Sequence, residues 1–269
     1  MSISFIIPVW EYTSKKEISR SLDSLNPFAD LVDEVVVVFD GYNSFELELD
    51  PPRNIIKKII YVYLGINKGP GNARNMGVFF SNNEYIFMLD AGDCCLPNRI
   101  NTQLKSLKKY GVSYGAIKYS LTSRNYISKR INKNLAKFLL PFQNPYPNCC
   151  LAIKKKIFIR LNGYPLLRTA EDWVLAAKLI NYFDYIPYAE QPVIECLIID
   201  KNKNLISRRY GLRILKRIIN AHYLMIKKKL YSFILFPLAI SYQIILRLFP
   251  YRIFKFLYNL RLKIAFKYN

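Results

Sequence analysis

The feature that most constrains this chain is the stretch Glu84-Tyr-Ile-Phe-Met-Leu-Asp90-Ala-Gly-Asp93, an apolar run that stops at two acids three residues apart. The run has a strand's length, is rich in β-forming residues and has no polar face, so it reads as a buried strand. Gly92 lets the backbone turn tightly while both carboxylates point the same way. Carboxylates at a strand end suit a hard divalent cation. In open parallel sheets, ligands bind just beyond the carboxyl ends of the strands. The other reading of this segment alone is that Asp90 only caps the helix that begins near Pro97.

The same grammar recurs upstream. Ser2 to Val9 reads as a first buried strand ended by Pro8, with a loop from Glu11 to Ser14 at its carboxyl end. Lys15 to Leu25 carries Ile18, Leu22 and Leu25 at helical spacing. Val35 to Phe39 is a second strand and ends in Asp40-Gly41; Ile55 to Leu64 supplies a third. A β-α-β order with an acid or a turn at each strand end favours a parallel sheet with right-handed crossovers.

Asn67-Lys-Gly69-Pro-Gly71-Asn-Ala-Arg74-Asn75-Met-Gly77 is a Gly-rich loop opening a helix to about Asn82. Its amides and helix N-terminus can receive an anion, and Arg74 can clamp a phosphate oxygen with two donors. No GK[ST] follows and there is no GxGxxG, so it is neither of the common nucleotide loops. The plain alternative is a softened helix start with a surface arginine.

Beyond Asp93, Pro97 suits the first turn of a helix through Tyr110, and Val112 to Tyr119 reads as a strand. Ser123 to Phe142 has few sheet signals and reads as a loop over the site or a connection to an acceptor pocket. Asn148 to Ile153 reads as a strand, and Lys154 to Leu161 as a short helix ended by Asn162-Gly163. Thr169 can cap a helix from Glu171 to Tyr182, which sets Glu171 and Asp172 in its first turn. One of those acids facing a cleft would serve as a general base; acids favoured there by the helix dipole alone are the other reading.

At 269 residues the chain can bury one large α/β domain and carry an appendage. The N-terminus lacks a basic region and a cleavage site, so no signal peptide is read. Five cysteines, mostly in adjacent pairs and without CxxC spacing, point to a reducing compartment and to use as small core residues.

Together these stretches resemble the family 2 glycosyltransferases of the GT-A fold, over roughly residues 2 to 200. The motifs stand in the family's order: Phe5-Ile-Ile-Pro8-Val9, Asp40 after the second strand, the Asn67 to Gly77 segment, Leu89-Asp90-Ala-Gly-Asp93, and Glu171-Asp172-Trp173. The resemblance implies an α/β fold with a Rossmann-like mixed, mainly parallel sheet flanked by helices. It implies a nucleotide-sugar donor, a UDP-sugar, lying along Pro8, Glu11, Asp40, Asn67, Gly71, Arg74 and Asp90. It implies a divalent cation, Mn²⁺ or Mg²⁺, on Asp90 and Asp93, and an acceptor-activating base at Asp172 with Glu171 beside it. Transfer would invert the anomeric carbon. The chain departs from the pattern at Gly92, where the second acid of the metal motif usually stands, and at Glu11, where the family often has Asn. No Gln-x-x-Arg-Trp motif is present, which fits a non-processive enzyme.

The charge is unevenly placed. Sixteen Lys and Arg from Lys201 onward face no Asp or Glu, so of the net +21 the first 200 residues carry +5. The expected division is a catalytic domain over 1–200 and a basic, apolar helical tail over 201–269. Such a tail seeks a polyanionic partner. Ser207 to Leu230 reads as a basic amphipathic helix with Leu212, Leu215, Ile218, Ile219, Tyr223 and Ile226 on one face and His222 on its surface. Leu230 to Leu246 is uncharged but contains Pro237, and it is borderline for a span needing about 20 apolar residues. Arg247 to Tyr268 has the composition of an interfacial helix. The expectation is an enzyme peripheral on the inner, cytoplasmic face of the cell membrane, binding an anionic lipid surface through 201–269 and acting on a lipid-linked or cell-surface glycan. The alternative for the tail is packing on the catalytic domain or a homodimer. A catalytically silent homologue serving as a partner protein is the rival function; a nucleic-acid partner is not expected, since it leaves the strand-end acids without a purpose.

Overall fold

Four apolar runs form the parallel half of one sheet. The computed structural model describes residues 2–42, 49–120, 125–128, 130–197, 210–248 and 266–268. β1 (Ile3–Trp10), β2 (Glu34–Asp40), β3 (Ile59–Leu64) and β4 (Tyr85–Met88) lie side by side in the order β3-β2-β1-β4, all parallel. Every residue of β2 is buried, as expected of a central parallel strand covered on both faces. Connections run through α1 (Lys15–Asp23), a one-turn α2 (Arg53–Ile56) and α3 (Pro70–Phe80). Ser14 and Glu17 form a reciprocal capping box on α1. α3 lies tight on the sheet because Gly77 has no side chain; a Cβ there would stand 2.4 Å from Ile6 Cγ2.

The strand order reverses at β1, with β2 on one side and β4 on the other. That leaves a crevice beyond the carboxyl ends of β1 and β4. The other half of the sheet closes it. β5 (Cys94–Cys95), α4 (Arg99–Tyr110), β6 (Val112–Ser120), β7 (Asn125–Ser128), α5 (Lys133–Leu139), β8 (Ala152–Lys154), α6 (Lys155–Arg160), α7 (Glu171–Tyr182) and β9 (Tyr188–Leu197) follow in turn. β8 sits antiparallel between β4 and β6, and β9 runs parallel to β6 and antiparallel to β5. Downstream come α8 (Leu212–Lys227), α9 (Phe236–Leu248) and β10 (Phe266–Tyr268), which pairs antiparallel with β7 at the sheet's edge.

Several expectations need correction. The Ser123 to Phe142 region is not an uninterrupted loop: Asn125–Ser128 pairs with β6, and Asn132 caps α5 through its side chain. Asn148–Cys150 is a 3₁₀ turn, and the strand is only Ala152–Lys154. The residues before Ile59 are a helical turn that buries Ile55. Ala170, not Thr169, is the N-cap of α7; it lies at φ 64° and makes no side-chain cap. His222 is not on the surface: it is fully buried, with Nδ1 2.7 Å from the Tyr231 hydroxyl and its ring edge-on to Trp173. The covered face of α8 is Leu215, Ile218, Ala221, His222 and Met225, while Leu212 and Tyr223 are exposed. This face packs against α7. Among the described residues no helix is long and apolar enough to cross a membrane. Most of the expected Arg247 to Tyr268 helix lies outside the described residues, and its end at 266–268 is strand.

Candidate active site

The crevice is built from strand ends inward. At the tip of β2, Asp40 is buried and accepts the Lys68 amide on Oδ1 at 2.9 Å and the Gly69 amide on Oδ2 at 2.8 Å. The carboxylate thus holds the loop before α3. Gly69 stands at φ 97° with the Arg168 backbone 3.3 Å from where a Cβ would sit, so only glycine fits that turn. The Arg168 guanidinium donates to the Asn67 carbonyl at 3.0 Å. Gly71 lets α3 approach α7: its Cβ would lie 2.8 Å from Glu171 Cγ.

Arg74 is the centre of the site. Nη2 donates to Asp90 Oδ1 and Nη1 to Glu171 Oε1, each at 2.8 Å. Its guanidinium stacks over the Tyr164 ring at 5.6 Å, and Nε is buried with no partner among the described residues. Burial alone would weaken the cation, but Asp90, Tyr164 and Glu171 outweigh it and raise its pKa, so Arg74 stays charged. Glu171 is pushed up by burial and by Asp172, against the pull of Arg74. Burial, with the charges of Asp90, Asp172 and Glu171, pushes the Tyr164 hydroxyl up, against the pull of Arg74. Tyr164 is itself held by a reciprocal pair of 2.9 Å bonds between its backbone and the Asn75 side chain.

Asp90 and Asp93 are brought together by a turn pinned to α1. The Asp93 amide donates to the Asp90 carbonyl at 3.0 Å, and Gly92 stands at φ 97°. The Ser21 hydroxyl accepts from the Gly92 amide and donates to the Asp93 carbonyl, both at 2.9 Å. Cys149 closes the group: Asp90, Asp93 and Cys149 can each offer a ligand atom, all within 4.8 Å of one another. This donor set fits a divalent cation. Burial and the nearby Asp90 push the Asp93 carboxyl up to about 7, while thiol hydrogen bonds from Cys196 and Cys149 oppose the shift.

Asp172 sits one residue beyond Glu171 and is partly exposed. Asn144 donates to its Oδ2 at 2.9 Å, and the Trp173 amide to its Oδ1 at 2.9 Å. Each oxygen keeps a lone pair for a further donor. Pro8 and Glu11 stand at the end of β1, Pro8 partly covered and Glu11 exposed.

Residues 4–162 match the sequence profile described as "Glycosyl transferase family 2". The chain belongs to that family. A glycosyltransferase of Erwinia amylovora, "Amylovoran biosynthesis glycosyltransferase AmsE", is 25% identical over 265 residues, covering 95% of this chain and 97% of that protein. An "Uncharacterized glycosyltransferase" of Haemophilus influenzae is 24% identical over 219 residues, covering 78% of this chain and 80% of its own. Among solved structures, S. aureus TarS 1-349 in complex with UDP-GlcNAc superposes with a TM-score of 0.60 at 17% identity, over 83% of this chain and 66% of that one. The likeness is one of fold, and it bears out the GT-A architecture.

Within this family 2 glycosyltransferase the strand-end acids were legible in the sequence; their partners were not. Cys149, Asn144, Tyr164 and the buried Arg99 have no local motif. Arg99 lies over the Phe5 and Phe87 rings at 5.4 and 5.5 Å and donates to the Met88 and Cys149 carbonyls at 2.6 and 3.1 Å. It thereby ties the strand that carries Asp90 to the turn that carries Cys149. Trp10, exposed at the end of β1 and accepting from the Tyr42 hydroxyl through its carbonyl, is a further aromatic surface at this strand end. Its only sequence signal was its place directly after Pro8-Val9.

Proposed function

We propose that this glycosyltransferase moves a sugar from a UDP-sugar to a hydroxyl of a lipid-linked or cell-surface glycan, with inversion at the anomeric carbon. The observation that carries the reading is Arg74 bridging Asp90 and Glu171 beside the Gly-rich start of α3. The donor's diphosphate would lie against the Gly69 to Asn75 segment and Arg74, with the base near Pro8, Glu11, Trp10 and Asp40. Asp40 already holds the loop, but each oxygen has a lone pair left for the ribose or base. A Mn²⁺ or Mg²⁺ ion held by Asp90 and Asp93 would neutralise charge that grows on the leaving diphosphate. Asp172 takes the proton of the acceptor hydroxyl, a contribution of roughly 10²- to 10⁴-fold, with Asn144 orienting its carboxylate. Glu171 positions Arg74. The UDP-GlcNAc named in the TarS complex supports the donor class, and the polysaccharide pathway named for the AmsE relative supports a glycan acceptor.

The acceptor reading also assigns a membrane-facing surface. Phe233 and Ile234 are 68% and 85% exposed, and Leu238 and Ile245 extend the patch along α9. Lys227, Lys228 and Lys229, all exposed, rim it. Apolar side chains near exposed lysines suit an anionic bilayer surface, which supports a position on the cytoplasmic face of the membrane.

The test is Asp172→Asn. It should abolish transfer from UDP-sugars to an acceptor extract while thermal stabilisation by UDP with Mn²⁺ stays at the wild-type level. Transfer at the wild-type rate would overturn the base assignment. The rival reading, a silent homologue acting as a partner, is favoured by Gly92 in place of an acid; a wild-type chain that neither binds UDP with Mn²⁺ nor transfers sugar would decide for it.

A further inference from the structure

We propose that Cys149 is a third ligand of the cation on Asp90 and Asp93, and that its thiolate turns the site toward Mn²⁺, Co²⁺ or Zn²⁺ and away from Mg²⁺. The inference rests on the reading of Asp90 and Asp93 as the cation's ligands and adds to it the choice of metal.

Three observations carry it. First, the donor atoms come from separate segments and converge: the end of β4, the Gly92 turn and the 3₁₀ turn at Asn148–Cys150, all within 4.8 Å. Metal–oxygen bonds near 2.1 Å and metal–sulfur bonds near 2.3 Å separate ligand atoms around one ion by up to about 4.5 Å. The cluster therefore needs only a small contraction. Second, the thiol's position is held from behind. Arg99 donates to the Cys149 carbonyl and Gln103 to the Cys150 carbonyl at 2.8 Å, so α4 grips the backbone of this turn. Third, Gly92 leaves the motif without its usual second acid. A Cβ at that position would stand 3.5 Å from the Glu17 side chain. The motif thus carries one acid fewer, while a separate segment brings a sulfur to Asp90 and Asp93.

The consequence follows from ligand softness. Mg²⁺ demands near-octahedral oxygen and is bound poorly by thiolate, whereas Mn²⁺, Co²⁺ and Zn²⁺ accept mixed oxygen and sulfur sets. As the ion enters, the Cys149 S–H bond breaks, its proton goes to buffer, and the sulfur lone pair forms the bond to the metal.

The experiment is a Co²⁺ titration of the full chain with UDP present, read as sulfur-to-cobalt charge transfer in the near ultraviolet. The wild type should develop the band to saturation at one ion per chain. Cys196→Ser, which removes the other thiol at Asp93, should keep it. Cys149→Ser should lose the band and bind Co²⁺ at least roughly tenfold more weakly, with Mg²⁺ then competing for the site. Cobalt bound to folded wild-type protein without the band, or a band that survives Cys149→Ser, overturns the role of Cys149 alone. Absence of cobalt binding, or binding unchanged in Asp90→Asn, overturns the cation site itself and the proposal with it. Circular dichroism checks that each variant is folded. Should Cys149→Ser not fold, ¹¹³Cd resonance in the wild type decides: a sulfur-shifted signal supports the proposal and an all-oxygen signal refutes it.

Discussion

Arg74 on α3 and Glu171 on α7 stand 97 positions apart in the chain, and their side chains meet at 2.8 Å where both are buried. The same guanidinium reaches Asp90 at 2.8 Å through its other nitrogen. One planar cation therefore joins the first turns of α3, the end of β4 and the first turn of α7.

Removing that cation leaves Glu171 buried without a counter-charge. Arg74→Met should lower stability by about 3–5 kcal/mol and abolish UDP binding. Arg74→Lys should recover part of the stability but not the binding, because an ammonium cannot span two carboxylates in a planar fork. Urea unfolding and calorimetric titration with UDP separate the two effects.

Two glycines of the same helix should behave differently. Gly77→Ala drives a methyl into Ile6 and Gly71→Ala drives one into Glu171. Each should cost about 1–3 kcal/mol of stability through overpacking. Only Gly71→Ala displaces the partner of Arg74, so only it should weaken UDP binding, by roughly tenfold or more. Unfolding midpoints measured beside dissociation constants test the contrast.

His222 makes stability depend on pH. Burial, with a smaller push from Arg247, lowers its pKa to about 4. The folded chain keeps it neutral where the unfolded chain would take a proton. Its contribution is complete above the ordinary value near 6.5 and is lost progressively as pH falls to about 4. The loss is at most about 3 kcal/mol at 1.36 kcal/mol per unit. The Asp93 and Glu171 carboxyls, both pushed up by burial, shift stability the opposite way over this range. The effect is therefore read as the difference between wild type and His222→Gln at pH 7.5 and at 4.5, where the wild type should lose the more.

The proposed lipid-facing surface is tested away from the cleft. Phe233→Glu combined with Ile234→Glu should cut sedimentation with anionic vesicles by tenfold or more while leaving binding to zwitterionic vesicles, already weak, unchanged. Transfer to a soluble acceptor should proceed at the wild-type rate. Equal sedimentation of variant and wild type would remove this patch from the membrane reading.

What the sequence by itself determined is the order of chemistry along the chain. Four apolar runs, each followed by a turn or an acid, require a parallel sheet whose carboxyl ends carry Asp40 and Asp90, since a strand without a polar face must be covered on both sides. The acids at the start of α7 and the glycines before Arg74 were legible for the same reason: turn and helix-start preferences are local. Tertiary structure decided the partners. Nothing near position 149 or 144 announces that a thiol faces Asp93 or that an amide holds Asp172, because those contacts join segments far apart in sequence. Helical spacing likewise shows which residues share a face of α8 but not which face is covered. The covered face runs through His222, because Trp173 on α7 and the Tyr231 hydroxyl together offer a buried imidazole both a packing surface and a hydrogen bond.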